Sequence, residues 1–165
     1  MLRPLVAKRT ILNVEIPERT PLFVLAAMTG SGDQHHYDDW RFNTRVAGIR
    51  AAYYERWRPV DAKRQTYSLE RGYLHLFLRC GTGRDAGEEQ ILALHCDPNE
   101  SEDAKHSPFK RGPHLHITAA GSPLCRSHIA LNYSHLNDVL CSFESLCKAW
   151  DNAIELIGEQ VLTLY

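Results

Sequence analysis

Pro113-His114-Leu115-His116-Ile117-Thr118 sets imidazole or hydroxyl side chains against aliphatic ones, residue by residue. Successive side chains on a β-strand point to opposite faces, so His114, His116 and Thr118 share one face while Leu115 and Ile117 take the other. The same alternation recurs in Tyr73-Leu-His-Leu-Phe-Leu-Arg79, in Ile91-Leu-Ala-Leu-His-Cys-Asp97 and in Ser127-His-Ile-Ala-Leu-Asn132. It puts His95 and Asp97 on one face, with Leu92, Leu94, Ile129 and Leu131 on the face that carries Leu115 and Ile117. Four such stretches predict an antiparallel meander over about residues 73–132, one side apolar and one side rich in histidine. Gly81-Thr-Gly-Arg-Asp-Ala-Gly87 and Ala119-Ala-Gly-Ser-Pro123 provide the turns.

A meander of this kind needs a cover for its apolar side. From about Asn137 to Leu162 an apolar stripe recurs at helical spacing through Leu140, Phe143, Leu146, Cys147, Trp150, Ile154, Ile157 and Val161, with Ser134 as the expected cap. Ile11–Ile16 and Leu22–Met28 read as N-terminal strands. Phe42, Val46, Ile49, Tyr53 and Trp57 recur at intervals of four, three, four and four, which predicts a helix over 38–58 closed by Pro59, with a strand as the other reading. The fold expected is therefore α+β: an antiparallel β-sheet, the 73–132 meander plus the N-terminal strands, packed on a long C-terminal helix.

At 165 residues the chain has the length of a single domain, 1–165, and 44% hydrophobic with 24% charged residues is ordinary globular composition. A formal net charge of −1 does not call for a polyanionic partner. Charge is unevenly spread, however: residues 41–64 hold seven Lys or Arg, and residues 85–103 hold seven Asp or Glu with no Lys or Arg. Five cysteines (80, 96, 125, 141 and 147), an odd number without a Cys-x-x-Cys pair, read as reduced thiols, and Cys80 and Cys96 fall on the leucine side by parity. With no long apolar run and no signal-like N-terminus, a cytoplasmic location without membrane contact is expected.

The histidine face is where chemistry is expected. Residues two apart on a strand lie about 6–7 Å apart at Cα, which lets two imidazoles reach one ion at about 2.0–2.1 Å. His95, Asp97, His114 and His116 are the expected ligands of a divalent transition metal, zinc or manganese. His128 is a further ligand or a general acid. Lys110 and Arg111, just ahead of the histidine pair, would hold a phosphate or carboxylate on the substrate, with Gly112 allowing close backbone approach. His75, one strand further out, reads as a hydrogen-bonded histidine near the core. His35, His36, His106 and His135 read as loop or helix-entry residues. Arg41, Arg45, Arg50, Arg56 and Arg58 interleave with Trp40, Phe42, Tyr53, Tyr54 and Trp57 as on a nucleic-acid face, although the aromatics also suit a buried stripe.

Known signatures are met only in part. His114-Leu-His-Ile-Thr118 resembles a segment of the histidine-triad signature, with threonine in the third histidine position. His116-Ile-Thr118 gives one copy of the histidine-x-threonine motif that two-histidine phosphoesterases carry twice. Gly112-x-His114-x-His116 and His128-Ile-Ala-Leu-Asn132 resemble pieces of the two cupin motifs at too short an interval. Residues 66–118 resemble small TumE-like toxins of bacterial toxin–antitoxin loci in an aspartate-ended strand, a polar loop and a histidine-x-histidine strand. None of these carries a function across. The residues themselves point to a metal-dependent hydrolase acting on a phosphodiester, such as a nuclease, with nucleic acid or a phosphorylated small molecule as its partner. The alternative is a non-catalytic binding or assembly subunit that presents the histidine face to a protein partner.

Overall fold

The computed structural model describes residues 11–15, 23–28, 41–61, 66–81, 87–99, 107–116 and 128–162. Among them eight strands make one antiparallel sheet: β1 (Ile11–Glu15), β2 (Phe23–Met28), β3 (Phe42–Asn43), β4 (Ile49–Asp61), β5 (Thr66–Cys80), β6 (Gly87–Cys96), β7 (Pro113–His116) and β8 (His128–Ala130). Their order is β1-β2-β4-β5-β6-β7-β8, with β3 beside β4, so the expected meander is present and continues through β4 to the N-terminal strands. Ile117, Thr118, Ser127, Trp40, Cys125, His35, His36 and His106 lie outside the described residues.

The helix expected over 38–58 is instead occupied, from residue 42 onward, by β3, a turn and β4. Ile49, Tyr53 and Trp57 are spaced by four, an even number, so they share a face on a strand as well as on a helix. Strand pairing decides between the two periods: β4 runs antiparallel to β5, with Ala51, Tyr53 and Glu55 buried on the core face and Ala52, opposite His75, buried as well. Gly48, at φ 81°, takes the left-handed backbone that lets β3 reverse into β4. Thr44 closes this turn by donating from Oγ1 to the Ile49 carbonyl at 3.0 Å.

The single C-terminal helix is also divided. A 3-10 turn (Tyr133–His135) leads into α2 (Leu136–Leu140), and α3 (Phe143–Gln160) follows. The cap of the main helix is Ser142 rather than Ser134: its extended backbone breaks the helix, and its side chain accepts from the Ser145 N–H at 3.1 Å. Leu146, Ala149, Trp150, Ala153, Ile154 and Ile157 then alternate at three and one residues and are buried against the sheet. Phe143, in the first turn, is 54% exposed and lies outside that face. Burying each large aliphatic side chain stabilises the fold by about 1.5–3 kcal/mol. Together with Phe42, Tyr53, Leu69, Leu74, Leu76, Leu94 and Cys96 this face forms the core. Leu115 and Leu131 pack at its margin, whereas Ile129 on the edge strand and Cys80 at the end of β5 are exposed.

Two features lock α3 on the sheet. Gly72 lies directly under the Trp150 indole, where a Cβ would come within 2.9 Å of Cε2 and Cζ2. Beside it the buried Glu55 carboxylate accepts hydrogen bonds from Tyr53 Oη, from Trp57 Nε1 at 2.9 Å and from Trp150 Nε1 at 2.8 Å. Three donors on one carboxylate offset much of its desolvation, although burial still raises its pKa. No helix among the described residues is long and apolar enough to cross a membrane.

Candidate metal centre

With the helix on the leucine side, the opposite face carries the histidines as parity requires. The ladder pairs His95 with His114 across β6 and β7, and His116 with His128 across β7 and β8. Cross-strand partners on one face have Cβ atoms about 4.5–5.5 Å apart, so strand register alone drives the rings together. The His95 and His116 ring centroids lie 4.0 Å apart, those of His114 and His116 5.0 Å, and those of His116 and His128 4.4 Å. His95, His114 and His116 each offer a nitrogen within 4.8 Å of the others, close enough to hold a metal ion.

His114 is the best-defined member. It is fully buried, and its Nδ1 lies 2.9 Å from the Gly112 carbonyl, which can only accept. The proton therefore sits on Nδ1 and leaves Nε2 with its lone pair, the backbone arrangement that commonly orients a ligating imidazole. His116 Nε2 is 3.1 Å from His114 Nε2. Two nitrogens bound at 2.0–2.1 Å in a tetrahedral shell stand about 3.3 Å apart, so the pair is already near ligating separation. Gly112 acts through its carbonyl and through packing: a Cβ there would meet Leu136 Cδ1 at 3.2 Å, which lets α2 sit close.

Electrostatics keep His95 and His116 neutral. Burial, then the neighbouring His116, His75, His114 and Arg71, lower the His95 pKa to about 2. Burial, then His114, His128, His75 and Lys110, lower that of His116 to about 3. At neutral pH both rings present lone pairs, as coordination requires.

Asp97 stands a step further from the triplet than expected. Its Oδ1 is held by Arg71 Nε at 3.0 Å, and its Oδ2 faces His95 Nδ1 at 3.9 Å and His114 Nε2 at 4.0 Å. It supplies negative charge at the edge of the cluster. His128 lies half-buried against His116 and 5.4 Å from the His114 ring. Lys110, at the end of the short helix α1 (Ser107–Lys110), lines the cleft in front of the triplet. Arg111 does not join it: the side chain is exposed and donates from Nε to the Pro98 carbonyl at 3.3 Å.

Three residues reach the site that sequence order left outside it. His75 Nε2 lies 2.6 Å from His95 Nε2, so His75 belongs to the cluster. Tyr73 and Arg71 flank it on the same strand, Tyr73 with its ring centroid 4.9 Å from that of His95. The signal was present in the alternation of Tyr73, His75 and Phe77, which share a strand face with one another and pair with β6. A cleft of about 510 Å³ opens here, and Arg41, Gln90 and Phe77 complete its wall.

The arginine band of β4 is split by strand parity. Arg50, Tyr54, Arg56 and Arg58 take the histidine face and Tyr53 the core. The acids opposite them are specific: Arg56 and Arg58 meet Glu70 at 3.0 and 3.1 Å, and Arg50 meets Glu88 at 2.7 Å. Comparison with known protein families, curated proteins and solved structures returns no match to this chain, so the functional reading stands on the geometry of the histidine face.

Proposed function

We propose that the protein is a metal-dependent hydrolase of phosphodiester bonds, with a divalent transition metal held by His95, His114 and His116. The observation that carries this reading is the convergence of three imidazole donors within 4.8 Å, one of them oriented by a backbone carbonyl. Three nitrogen ligands with a fourth position for water are a recurrent catalytic zinc arrangement, and an all-imidazole set suits zinc better than manganese, which prefers oxygen donors. When bound there, such an ion supplies Lewis acidity and brings the pKa of a water molecule towards neutrality. Lys110, which lines the cleft, would neutralise a phosphoryl group, His128, with its ring 4.4 Å from that of His116, would move a proton, and Asp97 would balance the charge of the centre.

Elemental analysis of untagged protein, followed by hydrolysis of bis(p-nitrophenyl) phosphate with and without chelator, tests the reading. One equivalent of zinc and a chelator-sensitive activity that disappears in His114→Ala/His116→Ala are expected. Metal binding equal in wild type and double variant would overturn it. The second reading, a binding subunit with a structural ion, draws on the contact between His75 and His95: a fourth imidazole would close the shell. Cobalt-substituted protein separates the two, since added azide changes the visible spectrum only where a coordination position is open.

A further inference from the structure

We infer that the cleft beside the histidine triplet is a nucleotide subsite, in which a base lies against Tyr73 while its phosphate faces Arg41, Arg71 and Lys110. The inference rests on the hydrolase reading for its purpose and specifies the class of substrate. The cleft volume of about 510 Å³ falls within the range of small-molecule sites. Its lining carries three fixed positive charges and the Asp97 carboxylate. Arg71 is paired with Asp97 at 3.0 Å and Arg41 lies 3.9 Å from Glu88 at the rim, which still leaves a cationic excess, so the ligand it suits is an anion.

The aromatic wall narrows the class further. Tyr73 stacks on Tyr54 at 5.0 Å and on His75 at 5.7 Å, and the Arg41 guanidinium covers the Phe77 ring at 3.9 Å. Adjacent π-faces and guanidinium groups are the means by which proteins bind unpaired bases beside a phosphate. Inorganic phosphate or a sugar phosphate would use the cations and make no stacking contact with the rings. Gln90, opposite Phe77 in the ladder, adds an amide that can both donate to and accept from a base edge. Tyr54 and Arg56 extend the same face away from the triplet, since Tyr54 pairs with Tyr73 and Arg56 with Arg71 in register. A free mononucleotide and one residue of a single strand share this chemistry.

Calorimetric titration of the EDTA-treated full chain tests the subsite without any turnover. The ligands are adenosine 5′-monophosphate, inorganic phosphate and a five-residue single-stranded oligoadenylate. The nucleotide is expected to bind at least about tenfold more tightly than phosphate. Tyr73→Leu should weaken it roughly 5- to 150-fold, the range for losing one stacked base, while phosphate binding holds. Arg41→Gln, a milder change at the cleft edge, should weaken both ligands. Tighter binding of the oligoadenylate identifies a single strand as the source, and equal binding identifies a mononucleotide. Nucleotide affinity no better than that of phosphate, or equal losses of both ligands in Tyr73→Leu, overturns the subsite. Because the titration is metal-free, Tyr73-dependent nucleotide binding without diesterase activity would leave the subsite standing and remove the hydrolase. Chelator-sensitive activity without nucleotide preference would do the reverse.

Discussion

Replacing His114, His116 and Leu94 in turn by alanine separates packing from ligation within one small region of the sheet. Leu94 and His114 are both fully buried, on opposite faces of adjacent strands, whereas His116 is half-buried. Leu94→Ala removes core methyl groups and should cost about 2–5 kcal/mol, lowering Tm by roughly 4–20 °C for a chain of this length. His114→Ala leaves the Gly112 carbonyl without its donor, worth about 1–3 kcal/mol, and adds the void of a buried ring, so its effect on metal-free protein should approach that of Leu94→Ala. His116→Ala should cost about 1 kcal/mol or less. Zinc at 100 times its Kd stabilises the native state by about 2.7 kcal/mol, roughly 5–11 °C. That increment should survive in Leu94→Ala and vanish in both histidine variants. Thermal melts with chelator and with zinc read all of these values. If zinc raises the Tm of His116→Ala as far as that of wild type, the triplet is not a metal site. If His116→Ala without metal is as damaging as Leu94→Ala, the histidine face is core.

Two further outcomes follow from the geometry. His95 has a folded-state pKa of about 2 against about 6.5 unfolded, so the unfolded chain binds the extra proton between these values. Its contribution to stability is full above about pH 6.5 and lost as pH falls. Relative to His95→Gln, wild type should lose up to about 1.4 kcal/mol per pH unit in denaturant titrations between pH 6 and 4, and parallel pH profiles would refute the shift. Gly72→Ala forces a methyl against the Trp150 ring on a central strand, an overpacking cost of about 1–3 kcal/mol. An unchanged Tm would show that the indole does not rest where described.

The four histidine stretches were legible because strand parity needs only the sequence: His95, His114, His116 and His128 share a face as their spacing requires, and Leu94 and Cys96 share the opposite one. β4 is ambiguous in the sequence because residues 49, 53 and 57 satisfy both periods, and only its pairing with β5 distinguishes them. Parity gives the face of His75, but its partner is His95, twenty residues on, and the ladder register across residues 81–87 cannot be read locally. Arg71 and Glu70 were hidden for a related reason. The register shift between Arg56 and Trp57 is a bulge that changes which β5 residues face outward. Ser142 does not stand out as a cap in the sequence, since the apolar stripe runs through the break without interruption.

The Glu55 carboxylate also determines what light can report about this protein. Trp57 and Trp150 donate to the same buried acceptor on the face away from the histidines, so the surroundings of both indoles depend on the Glu55 carboxylate. A fluorescence change from these two indoles on adding zinc or nucleotide would mean that the ligand is felt through the full thickness of the sheet. Silence from them, with binding seen calorimetrically, would mean that the two faces of the same strands act as separate compartments, one for holding the molecule together and one free to vary its chemistry.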